Sequence, residues 1–215
     1  MTPYPVVAPK RREEIVDATV RLLARDGLPS LTMKALAKEA GLPQGSLHYF
    51  FSNKGAIIEA AVDRVMRALH QRVALKTGDA QDPRRRLRAI IEACIGTAEE
   101  QGEFWTILVQ FWSAMLYDAK LRSTNAALYV SLRRLIGRIV RAGIQSGEFR
   151  SVTPEGAGAV ILALVDGLSL QRSFDPKALS FHDAVRLCEI AVFRFLAPER
   201  TRRSSSRGGR GDNPR

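Results

Sequence analysis

Apolar residues recur at helical spacing along almost the whole chain, and this periodicity restricts the fold more than any other feature. In REEIVDATVRLLARDG, residues Ile15, Val20 and Leu23 fall near one face, and Gly27 ends the run. No convincing segment alternates polar and apolar residues as a half-buried strand does, and no internal repeat is present. We therefore predict an all-α fold of about nine helices.

Local signals divide the chain into helices. Thr32 is a predicted N-cap of a short helix in TMKALAKEAG, and Gly41 is its predicted stop. A second short helix is expected in LPQGSLHYF, followed by a long helix capped by Asn53. Pro83 suits the first turn of the next one. Further helices are predicted at about 83–101, 103–117, 120–146, 153–171 and 181–196.

Two short helices joined at Gly41 suggest a helix-turn-helix, in which the second helix enters the DNA major groove. The small Ala37 lets the two helices approach, and Gly41 allows the turn. Leu36, Leu42 and Leu47 are the expected anchors, and Phe51 is an expected core residue. Glutamine can pair with adenine, hydroxyls can contact bases or phosphates, and glycine lets the backbone approach the DNA. The residues expected to face DNA are therefore Gln44, Gly45, Ser46, His48 and Tyr49. Lys54 opens the next helix, where its charge suits a phosphate.

The stretch GLPQGSLHYFFSNKGAII resembles the signature of the TetR family, and IVDATVRLLARDGLPSLTMKALAKEAG resembles that family's first two helices. The similarity spans residues 11–60 and implies a three-helix DNA-binding domain, a larger helical ligand-binding domain, a dimer, and repression relieved by a small molecule. Phe50 and Pro43 depart from the common pattern, which often has His and a capping Ser or Thr there. By this resemblance the DNA-binding residues are Thr32, Lys34, Pro43, Gln44, Gly45, Ser46, His48, Tyr49 and Lys54, with Tyr49 and Lys54 on phosphates.

The C-terminal segments GEFWTILVQFWSAMLYDAKLR and GEFRSVTPEGAGAVILALVDGLSLQRSFDP resemble the BetI-like branch of that family, whose best-known member responds to choline. An aromatic stripe through Trp105, Trp112 and neighbours is either core or the wall of a ligand pocket. Asp166, between LALV and GLSL, must be paired or face a ligand. Other polar groups of interest are Asp118 and Asn125. The candidate ligand-binding residues are Trp105, Leu108, Gln110, Phe111, Trp112, Met115, Tyr117, Tyr129 and Asp166.

Small residues crowd the last two predicted helices and indicate close helix packing; GAG there is not a nucleotide loop, because no strand precedes it. In the TetR family such helices form a four-helix dimer interface. The resemblance therefore implies a homodimer with contacts at Val160, Leu164, Leu168, Leu187, Ile190 and Phe193.

The net charge of +11 is concentrated at the two ends. Residues 1–77 hold 12 Lys and Arg against 7 Asp and Glu, and residues 198–215 hold 6 against 2, whereas 78–197 hold 15 against 13. This asymmetry favours a nucleic-acid surface. It also leaves an alternative open, a ligand-independent architectural protein that binds nucleic acid through its basic ends.

Neither a catalytic motif nor a metal-ligand cluster is recognisable, so we expect no enzyme, no cofactor and no metal. The two cysteines, Cys94 and Cys188, are expected to be reduced and partly buried.

We expect a cytoplasmic protein without membrane contact, whose partners are double-stranded operator DNA, an unknown small-molecule inducer and a second copy of itself. The predicted organisation is a disordered N-terminus at 1–9, a DNA-binding domain at 10–55 with the helix-turn-helix at about 32–51, a ligand-binding and dimerisation domain at 56–197, and a disordered basic tail at 198–215.

Overall fold

The computed structural model describes residues 7–78, 82–96 and 98–198, with the backbone alone at 7–8, 98–104 and 114. These residues form α-helices and short 3-10 helices, with no β-strand among them, which confirms the predicted all-α fold. The α-helices are α1 (Val7–Asp26), α2 (Met33–Glu39), α3 (Lys54–Thr77), α4 (Pro83–Ile95), α5 (Ala98–Tyr117), α6 (Ala119–Gln145), α7 (Pro154–Phe174) and α8 (Phe181–Leu196). The two 3-10 helices are Leu28–Ser30 and Gln44–Tyr49.

The predicted helix caps are present. The Thr32 Oγ1 atom accepts the Ala35 amide at 3.0 Å, and the Asn53 Oδ1 atom accepts the Ala56 amide at 2.9 Å. Gly41 ends α2 with a φ of 64°, a conformation that suits glycine. These local signals set the directions in which α2 and α3 leave the turns before them.

The C-terminal helices pack around a core that continues into the N-terminal ones. The tightest approach joins α6 and α7, where a Cβ on Gly158 would lie 3.0 Å from the Arg133 carbonyl oxygen. The predicted close packing is seen at Ala157 and Gly158, which are buried, whereas Gly156, Ala159 and Ala163 are exposed. α7 is long and apolar enough to cross a membrane by length and composition, but a core helix passes the same test, and α7 packs against α6 and α8.

Several predicted boundaries are wrong. The break between α4 and α5 lies at Gly96, which has a φ of 62°, rather than near residue 102. The short helix predicted in LPQGSLHYF is confirmed and is a 3-10 helix, Gln44–Tyr49, since the amides of Ser46 and Phe50 bond to carbonyls three residues back. α1 begins at Val7, inside the segment 1–9 predicted to be disordered. Residues 1–6 and 199–215, which include almost all of the predicted tail, lie outside the described residues.

The boundary predicted at residue 55 falls in the first turn of α3, which runs unbroken from Lys54 to Thr77. One helix therefore belongs to both of the predicted parts. The division into two functional domains at this point stays a prediction.

Candidate functional site

The first candidate site is a solvent-facing surface built by α2 and the 3-10 helix Gln44–Tyr49. Glu39 at the end of α2 accepts hydrogen bonds from Arg25 at 3.0 Å and Arg21 at 3.4 Å, both on α1. The hydrogen bond from Arg25 is the main reason that the pKa of Glu39 is lowered. α2 is thus held against α1 by ion pairs as well as by its buried Leu36 and Ala37.

Backbone bonds then set the turn that follows α2. The Leu42 amide bonds to the Ala37 carbonyl at 2.9 Å and the Gly41 amide to the Lys38 carbonyl at 3.2 Å, which is the Schellman arrangement. Leu47 and Phe51 are buried, which anchors the second helix of the pair and confirms the predicted core position of Phe51. Because Leu47 and Phe51 point into the core, the opposite face of this segment is exposed to solvent.

The outer face carries the residues predicted to meet DNA. Tyr49 is 88% exposed. The side chain of Ser46 is partly covered, and the exposed residues around it are Thr32, Lys34, Pro43, Gln44, Gly45, His48 and Lys54. Lys54 stands at the start of α3, where backbone amides are not used by the helix itself. All nine predicted DNA-binding residues lie in or next to α2, the 3-10 helix Gln44–Tyr49 and the start of α3, and their contacts with DNA stay a prediction.

The second candidate site is a small cavity inside the C-terminal body, with a volume of about 20 Å³. Its wall is mainly apolar and draws on five helices: Leu69 of α3, Cys94 of α4, Trp105 and Leu108 of α5, Asn125, Leu128, Tyr129 and Leu132 of α6, and Leu162, Val165 and Asp166 of α7. A space of this size holds about one water molecule. Ligand pockets usually measure about 300–1,000 Å³, so a ligand must push these walls apart.

Asp166 and Tyr129 give the cavity its polar centre. The Tyr129 hydroxyl donates a 2.6 Å hydrogen bond to Asp166 Oδ2. Burial raises the pKa of Asp166 to about 6, against the lowering effect of that hydrogen bond, and burial likewise raises the pKa of Tyr129. Burial therefore disfavours the charged form of Asp166, and no cationic side chain is paired with this group among the described residues.

Two other groups complete the cavity. Asn125 Oδ1 is buried and has no hydrogen-bond partner among the described residues, so it is a vacant acceptor at the wall. The ring of Trp105 meets that of Trp112 edge to face, with centroids 5.9 Å apart. A buried anion beside aromatic rings attracts organic cations, both by its charge and by the electron-rich ring faces.

Four predicted ligand-binding residues meet at this cavity, namely Trp105, Leu108, Tyr129 and Asp166. The other five do not line it. Phe111 and Met115 are buried in the core, Trp112 stands behind Trp105, and Tyr117 is 89% exposed at the end of α5. Gln110 turns away from the cavity toward α1, because successive residues of a helix point in different directions. Asp118 instead caps α6 by accepting the amides of Lys120 and Leu121.

Sequence reasoning missed most of the apolar wall. Leu69, Cys94 and Leu162 look like ordinary core residues in their own helices, and only the packing of the helices shows that they enclose a cavity. Cys94 and Cys188 are both buried, and burial raises the pKa of each thiol to about 12. No group of potential metal ligands is found in the part of the chain that the structure describes.

A third surface lies on α7 and α8. Val160, Leu187 and Ile190 are 42%, 45% and 43% exposed. The remaining residues of the predicted dimer interface, Leu164, Leu168 and Phe193, are partly buried. An arginine covers part of this face from α4, since the Arg84 guanidinium lies 4.3 Å from the ring centroid of Phe193.

Family models match both parts of the chain. Residues 15–61 match the bacterial regulatory proteins of the tetR family, and residues 83–197 match the C-terminal domain of BetI-type transcriptional repressors. Among curated relatives, the HTH-type transcriptional regulator BetI of Burkholderia mallei (strain NCTC 10229) is 28% identical over 193 residues, which cover 87% of this chain and 94% of the relative.

Solved structures share the fold. A transcriptional regulator from Saccharomonospora viridis, crystallised in complex with choline, has a TM-score of 0.83 and 23% identity over 88% of this chain and 98% of its own. A TetR transcription regulator from Haloarcula marismortui has a TM-score of 0.76 and 20% identity, with 87% of this chain and 97% of that one covered.

Proposed function

Because the chain belongs to the tetR family of bacterial regulatory proteins, with a C-terminal domain of the BetI type, we propose that it is a repressor whose operator affinity falls when a small organic cation enters the buried cavity. The observation that carries this proposal is the buried Asp166 carboxyl group, hydrogen-bonded by Tyr129 and sharing the cavity wall with Trp105. A carboxylate without a cationic partner in such a place is costly unless a ligand supplies the charge. The choline bound by the regulator from Saccharomonospora viridis carries the positive charge that a buried carboxylate attracts, and it would enter here only as the cavity walls separate.

We assign the DNA contact to the surface around the 3-10 helix Gln44–Tyr49. Gln44, Ser46 and His48 are placed to approach base edges, whereas Tyr49 and Lys54 are placed to hold phosphates. Residues 10–55 would then form the DNA-binding part, and residues 56–197 would bind the ligand and the second subunit. A protein that works on DNA in this way acts in the cytoplasm and needs no catalysis.

We assign the exposed apolar face of α7 and α8 to a homodimer interface. Its six residues lie on two helices that pack against each other, which is the geometry needed for a four-helix interface between two copies. A twofold dimer presents two recognition segments to two half-sites, about one helical turn of DNA apart or a multiple of it. The operator would then be pseudo-palindromic.

The test is fluorescence anisotropy of the purified protein on labelled DNA from upstream of its own gene, with excess unrelated duplex at physiological salt. We expect binding that survives the competitor and that choline weakens, and we expect Asp166→Asn to remove the response to choline. The control Asp63→Asn removes an exposed carboxylate on α3 and should respond as the unaltered protein does. Binding abolished by the unrelated duplex would contradict the proposal and favour an architectural protein acting through its basic ends.

A further inference from the structure

Gln110 projects from the same helix as the cavity residues Trp105 and Leu108, but it contacts the DNA-binding part of the molecule. Its Oε1 atom accepts the backbone amide of Leu28 at 2.5 Å, and its Nε2 atom donates to the carbonyl oxygen of Leu23 at 3.4 Å. These two backbone groups lie 82 and 87 positions away along the chain. One side-chain amide thus joins the cavity helix α5 to the corner between α1 and α2.

These two hydrogen bonds lie where they can affect the orientation of α2 relative to α1. Leu23 is in the last turns of α1, and its carbonyl also accepts the Gly27 amide at 3.1 Å. Gly27, with a φ of 78°, turns the chain so that the Leu28 amide is presented to α5. Thr32, four residues after Leu28, caps α2, the first helix of the predicted helix-turn-helix. Gln110 therefore spans the break after α1 and holds the segment from which α2 starts.

The cavity geometry makes this contact sensitive to ligand. A space of about 20 Å³ cannot accept an organic molecule unless its walls separate, and Trp105 and Leu108 of α5 form part of those walls. α5 packs against α1, so a displacement of α5 changes the distance between Gln110 and its two backbone partners. Hydrogen bonds weaken steeply when their length and angle change, whereas apolar packing tolerates small slides.

We propose that Gln110 is a coupling residue, which holds the α1–α2 corner in its DNA-binding arrangement and releases it when α5 is displaced by expansion of the cavity. This inference rests on the proposed function, because it explains how occupancy of the cavity reaches the DNA-binding surface. Gln110 touches neither the cavity nor the DNA-facing residues. It acts on DNA affinity only through the position of α2.

The test is a double-mutant cycle that needs no ligand. Cys94→Leu places a bulkier side chain in the wall of a cavity that holds about one water molecule, so it forces the walls apart in the absence of inducer, and Gln110→Leu removes both hydrogen bonds. With operator dissociation constants read by anisotropy, we expect Cys94→Leu to weaken binding about tenfold in the unaltered background, within the range of typical allosteric coupling. In the Gln110→Leu background the same change should weaken binding less than about twofold.

Two further variants separate coupling from simple structural damage. Gln110→Glu keeps an oxygen that can accept the Leu28 amide, so it should restore part of the tenfold effect of Cys94→Leu. The control Gln145→Leu changes an exposed glutamine near the end of α6 and should leave the full effect in place. Circular dichroism establishes that each variant is folded before its affinity is interpreted.

Amide hydrogen exchange measures directly how well the Leu28 amide is protected by its hydrogen bond to Gln110. The Leu28 amide should exchange faster in both Cys94→Leu and Gln110→Leu, and no faster still when they are combined. Additive effects on operator affinity, or a Cys94→Leu variant that binds operator normally, would overturn the inference. A failure of choline to bind the unaltered protein contradicts only the proposed function, since the cycle is performed without ligand.

Discussion

Asp166→Asn is expected to stabilise the protein while abolishing its response to an organic cation. Burial raises the pKa of this carboxyl from 3.8 to about 6 in the folded chain. A carboxyl with a raised pKa holds its proton more tightly in the folded state than in the unfolded state. Stability is therefore lost as the pH rises from about 3.8 to about 6, because the folded protein must then carry a buried charge that the unfolded chain carries in water.

The size of this effect follows from the shift. About two pKa units at 1.36 kcal/mol per unit correspond to about 3 kcal/mol above pH 7. Asparagine cannot ionise, has nearly the same shape, and keeps an oxygen that accepts the Tyr129 hydroxyl. The variant should therefore be more stable than the unaltered protein by about 3 kcal/mol at pH 8, by about half as much at pH 5, and by almost nothing near pH 3.8.

Urea unfolding followed by circular dichroism at pH 5, 6, 7 and 8 measures the difference. Protein concentration must be the same throughout, because dimerisation adds to apparent stability. Asp63→Asn is the matched control: Asp63 is exposed and paired with Arg67 at 2.8 Å, so the stability difference should stay within about 0.5 kcal/mol at every pH.

The dependence on pH is the decisive feature of this experiment. A changed hydrogen bond to Tyr129 would shift the difference by a constant, whereas desolvation of a charge makes it grow with pH. A difference that stayed flat from pH 5 to pH 8, or that shrank, would refute the view that Asp166 is an ionised, uncompensated carboxylate. A stability difference that increases with pH, together with loss of choline binding by Asp166→Asn, would show that Asp166 binds the ligand and destabilises the ligand-free protein.

Three further changes test other parts of the structure. Gly143→Ala should destabilise the protein by about 3 kcal/mol or more in thermal unfolding, because the new Cβ would lie 2.1 Å from the Phe149 ring; a loss below about 1 kcal/mol would contradict that packing. Lys54→Ala should weaken binding to all duplexes alike and reduce the slope of log affinity against log salt by about 1, and an unchanged slope would remove Lys54 from the phosphate contacts. Leu187→Glu combined with Ile190→Glu should give a monomer in analytical ultracentrifugation at micromolar concentration, and a persistent dimer would place the interface elsewhere.

Local chemistry explains why the segment around α2 and the 3-10 helix Gln44–Tyr49 could be predicted from the sequence. Thr32, Asn53 and Gly41 act on their own neighbours, through a cap or a backbone angle, and each has the role that the sequence predicts. The prediction of a helix boundary failed where two nearby glycines could each have ended the helix. The break between α4 and α5 could follow either of two glycines, and the chain turns at Gly96 while residue 102 continues the helix.

The candidate ligand site shows the opposite case. The flanking apolar segments LALV and GLSL singled out Asp166 as an acid in apolar surroundings, but they could not supply Tyr129 as its partner, because that contact joins α6 to α7 across 37 positions. The aromatic stripe on α5 likewise divides between cavity wall, core and solvent, and Tyr117 at its end is exposed. The direction of each side chain depends on which helix lies opposite.

The sequence by itself determined most of the helices, their caps, the exposed segment Gln44–Tyr49 and the family, since all of these depend on residues within a few turns of one another. Only the tertiary structure decided which residues enclose the cavity, how small that cavity is, and that Gln110 reaches across to Leu28 instead of facing a ligand. The physical reason is that a helix presents side chains in every direction around its axis. Packing against several other helices then selects which of these directions meets a cavity, a partner or water.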